Sequence, residues 1–144
     1  MILWRISNYA NLSGTGGLVS AGRWHEQGIP VVYCCDHPST CLLEILVHVD
    51  IEDLPDDYQL LKIDCPDDVA VTTIPIDQAH VEDLDWTRRE GSRLLGENSG
   101  CLIRVPSAVM PEATNFLINP RHPDAGRLTI AKAIRYPFDS RLLR

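Results

Sequence analysis

Between Pro38 and Val49 the chain carries no Lys and no Arg, and that absence limits what it can fold into more than any other feature. At ~100° per residue, Leu42, Leu43, Ile45, Leu46, Val47 and Val49 sweep roughly 200° of a helix circumference. Thr40, Glu44 and His48, spaced i, i+4, i+8, share a strip only about 80° wide. A surface helix normally has a broader polar face with cations on it. This segment therefore predicts a helix covered on most sides. Its one acid, Glu44, faces either solvent or a cleft.

Two more polar side chains lie just upstream in apolar surroundings. Arg23 sits in Ala21-Gly22-Arg23-Trp24-His25, and Tyr33 closes Ile29-Pro30-Val31-Val32-Tyr33. The run reads as loop, strand, tight connection and helix, so a guanidinium, a phenol and a carboxylate can converge at the end of a sheet. Each has a distinct chemistry. An arginine fork grips phosphate or diphosphate through paired hydrogen bonds. A tyrosine stacks on a flat heterocycle and leaves its hydroxyl free for ribose or phosphate. A carboxylate across from an anomeric carbon stabilises the positive charge that grows as a glycosidic bond breaks. Together they suit a nucleotide that is to lose its base, and nicotinamide departs neutral from a cationic ring. NAD is the natural candidate substrate.

With 144 residues and 44% hydrophobic content, the chain has the length of one domain, 1–144, with room for a substantial core. No apolar run approaches the ~18 residues of a membrane span, and Met1-Ile2-Leu3-Trp4-Arg5-Ile6 lacks the basic start of a signal peptide, so a soluble, cytoplasmic protein is expected. The five cysteines are odd in number, with Cys34 and Cys35 adjacent and Cys41, Cys65 and Cys101 in apolar stretches; they suit small buried residues in a reducing compartment. The net charge of −7 is unevenly spread: Asp50 to Asp85 holds twelve acids and one base, Lys62. Direct binding of nucleic acid is thereby disfavoured. The acidic stretch either keeps the chain soluble or docks a basic partner.

Alternation and turn residues predict strands at 2–6, 31–35, 59–65, 69–73, 101–105 and 128–136, with 115–118 ending at the Asn119-Pro120 turn. A helix is expected over 86–95 with Asp85 as N-cap. Strands outnumber helices, so the fold class is α/β or α+β with a mixed, mostly antiparallel sheet and a few helices.

Other chemistries fit poorly. Gly14-Thr15-Gly16-Gly17 resembles a phosphate cradle, yet no lysine follows it as a P-loop requires, and it reads better as a flexible loop tip. Adjacent Cys34 and Cys35 would point to opposite faces of a strand and cannot easily share one ion with His37 or Cys41, so no metal is expected. A Gly-x-Ser-x-Gly elbow is missing. Nothing specific supports Cys41 or Cys101 as a nucleophile.

Gly22-Arg23-Trp24-His25, Val32-Tyr33, Ser39-Thr40-Cys41-Leu42-Leu43-Glu44, Val105-Pro106-Ser107 and Asn119-Pro120-x-His122-Pro123, in this order and over nearly the whole chain, resemble the RES domain. The resemblance implies a toxin of a bacterial toxin–antitoxin pair, with a core similar to diphtheria-toxin-like ADP-ribosyltransferases, that consumes NAD. It implies a cognate antitoxin with an Xre-type helix-turn-helix that covers the active site. The family's arginine falls on Arg23, its tyrosine on Tyr33, its glutamate on Glu44 and its serine on Ser107. On this likeness Glu44 faces a cleft, Arg23 holds the phosphates and Tyr33 packs on nicotinamide or its ribose. Ser107 and Asn119 are then further substrate contacts, each with a turn-forming role as the plainer reading. Arg5, Trp24, His25 and His48 are candidate supports, and His122 a turn residue. Water is the favoured acceptor because no Glu-x-Glu pair accompanies Glu44; phosphate and a protein side chain remain alternatives, as does a noncatalytic partner-binding module. Homo-oligomerisation stays open.

Overall fold

Leu3, Val32, Leu61, Ile63, Leu102, Phe116 and Ile118 are buried at alternate positions of their segments and form one continuous core cluster. Period-two burial of this kind is what a pleated sheet imposes. The computed structural model describes residues 1–75 and 78–143, so Asp77 of the acidic stretch lies outside the described residues. Along the chain these are β1 (Ile2–Ile6), α1 (Gly16–Val19), β2 (Val32–Cys35), α2 (Pro38–Leu46), β3 (Asp57–Asp64), β4 (Val71–Thr73), α3 (Gln78–Val81), α4 (Leu84–Glu97), β5 (Leu102–Pro106), β6 (Thr114–Ile118) and β7 (Thr129–Pro137). The strands form one seven-stranded sheet in the order β4-β5-β6-β2-β1-β3-β7. Every neighbouring pair is antiparallel except β4 with β5. The expected mixed, mostly antiparallel α/β architecture is the one observed.

The sheet is covered on both faces at its β5–β6 side. Ile103, Val105 and Leu117, of opposite parity to Leu102 and Phe116, join Trp24, Val31, Leu94 and Leu95 in a second core cluster. That cluster docks α4. Gly91 is what lets the helix approach: a Cβ there would overlap the Trp24 carbonyl oxygen. Asp83 caps α4 by accepting from Trp86 N at 3.1 Å, two residues before the Asp85 expected from sequence. Asn98 ends the helix in the left-handed region (φ 58°), a conformation its short side chain tolerates.

Two further expectations are corrected. The helix that starts at Pro38 stops at Leu46, with Val47 as C-cap, so His48 does not extend the Thr40–Glu44 strip, and the helix is not covered on most sides: only Thr40 and Cys41 are buried, while Leu43 and Val47 are exposed. The Gly14–Gly17 loop is not a flexible tip. Gly14 has φ +70° and packs against the Val31 backbone, and a Cβ on Gly17 would collide with the Ile29 carbonyl oxygen.

One irregularity prepares the site. β1 and β2 pair at Trp4↔Cys35, whereas β1 pairs with β3 over its full length. Where the ladder lapses, the Arg5 guanidinium takes over, donating from Nη1 to the Tyr33 carbonyl at 2.8 Å. Arg5 and Ile6 of β1 and Tyr33, Cys34 and Cys35 of β2 line one cavity.

Candidate active site

The cavity has a volume of about 720 Å³, ample for a dinucleotide's reacting half, and Arg23, Tyr33 and Glu44 all line it. The sequence trio thus comes together in space. Its neighbours on the wall include Arg5, Trp24, His48, Arg88 and Asn115. Among the described residues no group of three or more His, Cys, Asp or Glu side chains is arranged to hold a metal ion.

Glu44 lies in the second turn of α2, whose first turn is set by Pro38 and by His37, which accepts from Ser39 N at 3.2 Å. Its Oε1 accepts from Ser107 Oγ at 2.8 Å and from Asn115 Nδ2 at 2.9 Å. Both donors bond the same oxygen. They fix the carboxylate plane and leave Oε2 without a hydrogen bond among the described residues. Such an arrangement holds one carboxylate oxygen at a defined place on the wall of the cavity.

Ser107 itself is 1% exposed and does not line the cavity. Its Oγ also accepts from Val109 N and Met110 N, at 3.3 and 3.1 Å, which ties the turn after β5 to the carboxylate. Substrate contact through Ser107, expected from the sequence, gives way to a contact with Glu44. Asn119 is not brought to the cavity at all. Buried at 1% exposure, it donates to Leu95 O and Asn98 Oδ1 and accepts from Arg121 N, so it locks the C-terminus of α4 to the end of β6. An Asn before a proline in a turn looks the same in sequence whether it faces a ligand or a helix end.

Tyr33 presents its ring rather than its hydroxyl. The phenol oxygen accepts from Trp24 N at 3.1 Å and lies 2.7 Å from His25 Nδ1. His25 Nε2 lies 2.9 Å from the Ser20 carbonyl, which can only accept, so Nε2 carries the proton and Nδ1 receives the phenol's. The hydroxyl expected to be free for ribose or phosphate is thereby spent inside the protein. Burial pushes the phenol well above its ordinary range and pulls the His25 imidazole below its own. Gly22 is required beside this pair, because a Cβ there would stand 2.5 Å from the Tyr33 hydroxyl.

Arg23 leaves the same turn and donates from Nη1 to Val81 O at 2.7 Å, which fixes its direction on the cavity wall. Sequence reasoning passed over Arg88 and Asn115. Arg88 is one cation in the charged stretch Thr87-Arg88-Arg89-Glu90 and shows its inward direction only once α4 is docked. Asn115 starts an ordinary-looking strand; the single hint was alternation, which puts it on the same face as Leu117. Cys34, Cys35 and Cys41 also line the cavity. All five cysteines are free and buried, and burial raises the Cys34 thiol to about 12, far from a thiolate at neutral pH.

A family model described as the RES domain matches residues 2–139. A protein named Toxin Res from Pseudomonas putida is 50% identical over 128 residues, covering 87% of this chain and 88% of that protein. A protein named Prs ADP-ribosylating toxin, from Sphingobium sp., is 32% identical over 155 residues, with 98% and 96% covered. In three dimensions the chain is similar to one in the crystal structure of the M. tuberculosis MbcT–MbcA toxin–antitoxin complex. The TM-score is 0.76 at 18% identity, over 94% of this chain and 84% of the other, a likeness of fold.

Proposed function

We propose, since this chain belongs to the RES domain family of toxin–antitoxin toxins, that it cleaves the bond between nicotinamide and ribose in NAD and arrests growth by depleting the dinucleotide. The observation that carries this reading is the bare Oε2 of Glu44, whose partner oxygen is held by Ser107 and Asn115, on the wall of a cavity shared with Arg23 and Tyr33. As the C–N bond lengthens, the electron pair leaves with neutral nicotinamide and positive charge spreads over the ribose carbon and ring oxygen. A carboxylate pinned beside that carbon strengthens its attraction as the charge grows, which is stabilisation specific to the transition state. Arg23 takes the diphosphate, and the Tyr33 ring packs against the nicotinamide end. Water then adds, giving ADP-ribose and one released proton.

A second reading shares the first step. The relative named as an ADP-ribosylating toxin favours a protein side chain as acceptor in place of water. The two separate cleanly: with NAD labelled in its adenylate half, hydrolysis yields free ADP-ribose, whereas transfer marks a protein band.

The primary test incubates the purified chain, stripped of any antitoxin, with NAD and follows free nicotinamide. Release is expected from the unmodified protein, with losses of about a hundredfold or more in Glu44→Ala and Arg23→Ala at unchanged circular dichroism. No release from the unmodified chain ends the enzyme reading and leaves the partner-binding module. The physiological partner on this reading is a cognate antitoxin of the Xre helix-turn-helix type that closes the cavity, and the site of action is the cytoplasm. No described helix is long and apolar enough to cross a membrane.

A further inference from the structure

Seven of the arginines fall into two groups. On the outer surface, Arg93 pairs with Glu90 and Glu97, Arg127 with Asp68 and Asp124, Arg135 with Asp57, and Arg141 with Asp139. In a molecule with twenty acids and thirteen Lys and Arg residues the surface offers carboxylates in excess. Around the cavity the pattern reverses. Arg5, Arg23 and Arg88 each give one N–H to a backbone carbonyl, those of Tyr33, Val81 and Gly22, at 2.8, 2.7 and 2.8 Å. Among the described residues none of the three has a carboxylate at ion-pair distance, although Glu44 and Glu82 line the same cavity. A carbonyl orients a guanidinium without neutralising it, so the wall keeps its positive charge for something that enters.

Arg23 and Arg88 stand on either side of one peptide. Arg88 bonds the carbonyl of Gly22, the residue immediately before Arg23. It does so through Nε, which leaves both terminal nitrogens without a hydrogen-bond partner among the described residues. Those two nitrogens form the edge of the guanidinium that matches two oxygens of a phosphate. Its depth is set by packing, since Arg88 lies one turn before Gly91, where α4 touches the Trp24 backbone. Both arginines act on the buried Tyr33 phenol, opposing the upward shift that burial causes, which fits their place around the same turn.

We propose that Arg88 is a substrate-binding residue that works with Arg23 as a two-guanidinium cradle for the diphosphate of a nucleotide, and so makes the cavity select dinucleotides over nucleosides. The inference deepens the NAD-cleavage reading and rests on it for the identity of the substrate. The chemistry of the cradle is more general: it takes any nucleoside diphosphate.

The test has two arms. In the first, calorimetry measures binding of ADP, which cannot turn over, to the unmodified chain, to Arg88→Gln, to Arg88→Lys and to Arg89→Gln, an exposed neighbour on α4. Loss of a charged bidentate contact is expected to weaken ADP binding about 10- to 100-fold in Arg88→Gln and less in Arg88→Lys, with Arg89→Gln unchanged. In the second, nicotinamide release from NAD is compared with release from nicotinamide riboside, which has no phosphate. Arg88→Gln is expected to lower kcat/KM for NAD by a similar factor, mainly through KM, and to leave the riboside unaffected. The proposal is overturned if the unmodified chain does not bind ADP, or if a folded Arg88→Gln binds it as tightly as the unmodified chain. Should Arg88→Gln not fold, Arg88→Lys decides, because an ADP affinity equal to the unmodified chain's means that the fork is unused. ADP binding that depends on Arg88 without any nicotinamide release would sink the NAD-cleavage reading and keep the cradle; normal release with ADP binding indifferent to Arg88 would do the opposite.

Discussion

At the residue scale the site is organised by what is already satisfied. Ser107 and Asn115 donate to the same oxygen of Glu44, yet the two bonds differ in what else hangs on them. Ser107 Oγ also satisfies Val109 N and Met110 N in the turn after β5. Asn115 has no second duty, for its Oδ1 is buried without a hydrogen-bond partner. The two substitutions should therefore part company. Asn115→Ala is expected to slow nicotinamide release by about tenfold with little change in melting temperature, since it removes one charge-assisted bond and an amide oxygen that gained nothing from burial. Ser107→Ala should slow release comparably and also cost about 1–3 kcal/mol of stability by leaving two turn N–H groups unpaired. Equal melting temperatures for the two variants would contradict this account. The sequence made Arg23, Tyr33 and Glu44 legible because each is a polar group stranded among apolar neighbours. Arg88 and Asn115 sit in polar surroundings, where nothing local sets them apart.

At the element scale the decisive contact is α4 against the Arg23 turn. Helix propensity alone favours Ala over Gly at position 91 by about 1 kcal/mol. Packing outweighs it: the methyl would have to occupy the space of the Trp24 carbonyl oxygen, and that backbone cannot yield without moving Arg23 and the Gly22 carbonyl that holds Arg88. Gly91→Ala is accordingly expected to destabilise the protein by about 1–3 kcal/mol and to raise KM for NAD, read by thermal melting and steady-state kinetics. A stabilised variant would show that α4 is free to slide. By propensity Gly91 is only a weak point in the helix, because the reason for a missing Cβ lies on another element. The two-residue error in the N-cap has a similar origin. Asp83 and Asp85 are equivalent by composition, and only the point where the backbone turns into the helix selects the one whose carboxylate reaches a free N–H.

At the scale of the whole molecule, titration links the buried network to stability. His25 is neutral and pulled below its ordinary value by burial, with Nδ1 committed to the Tyr33 phenol. In the unfolded chain it returns to about 6.5. Above that value both states are neutral and the full stability is present; as pH falls, the unfolded state takes up the proton first, so stability declines from about pH 6.5 downward. Asp57, Asp68 and Asp139 are held below their usual range by hydrogen bonds from Arg135, Arg127 and Arg141, so their contribution persists above the unfolded carboxylate value and disappears only in stronger acid. Melting temperature should thus fall in two stages, the first between about pH 7 and pH 5 and due to His25. His25→Gln is expected to be less stable at neutral pH and to lose most of that first stage. A fall of the same size in the variant would assign the first stage to other groups.

What the sequence determined by itself was periodicity and isolation. Alternation marked the strands, and polar residues marooned among apolar ones marked the site, because burial leaves its trace in the pattern of neighbours; the cation-free run marked a helix but not its burial, since only Thr40 and Cys41 of it are buried. What only the tertiary structure decided was direction. Whether Asn119 turns to a ligand or to the end of α4, whether the Tyr33 hydroxyl is free or bound to His25, and whether Arg88 faces solvent or the cavity depend on partners 8 to 66 residues away along the chain, as the bonds Tyr33–His25 and Arg88–Gly22 illustrate. A side chain's hydrogen bonds are settled by whichever groups packing brings within about 3 Å, and separation along the backbone carries no record of that distance.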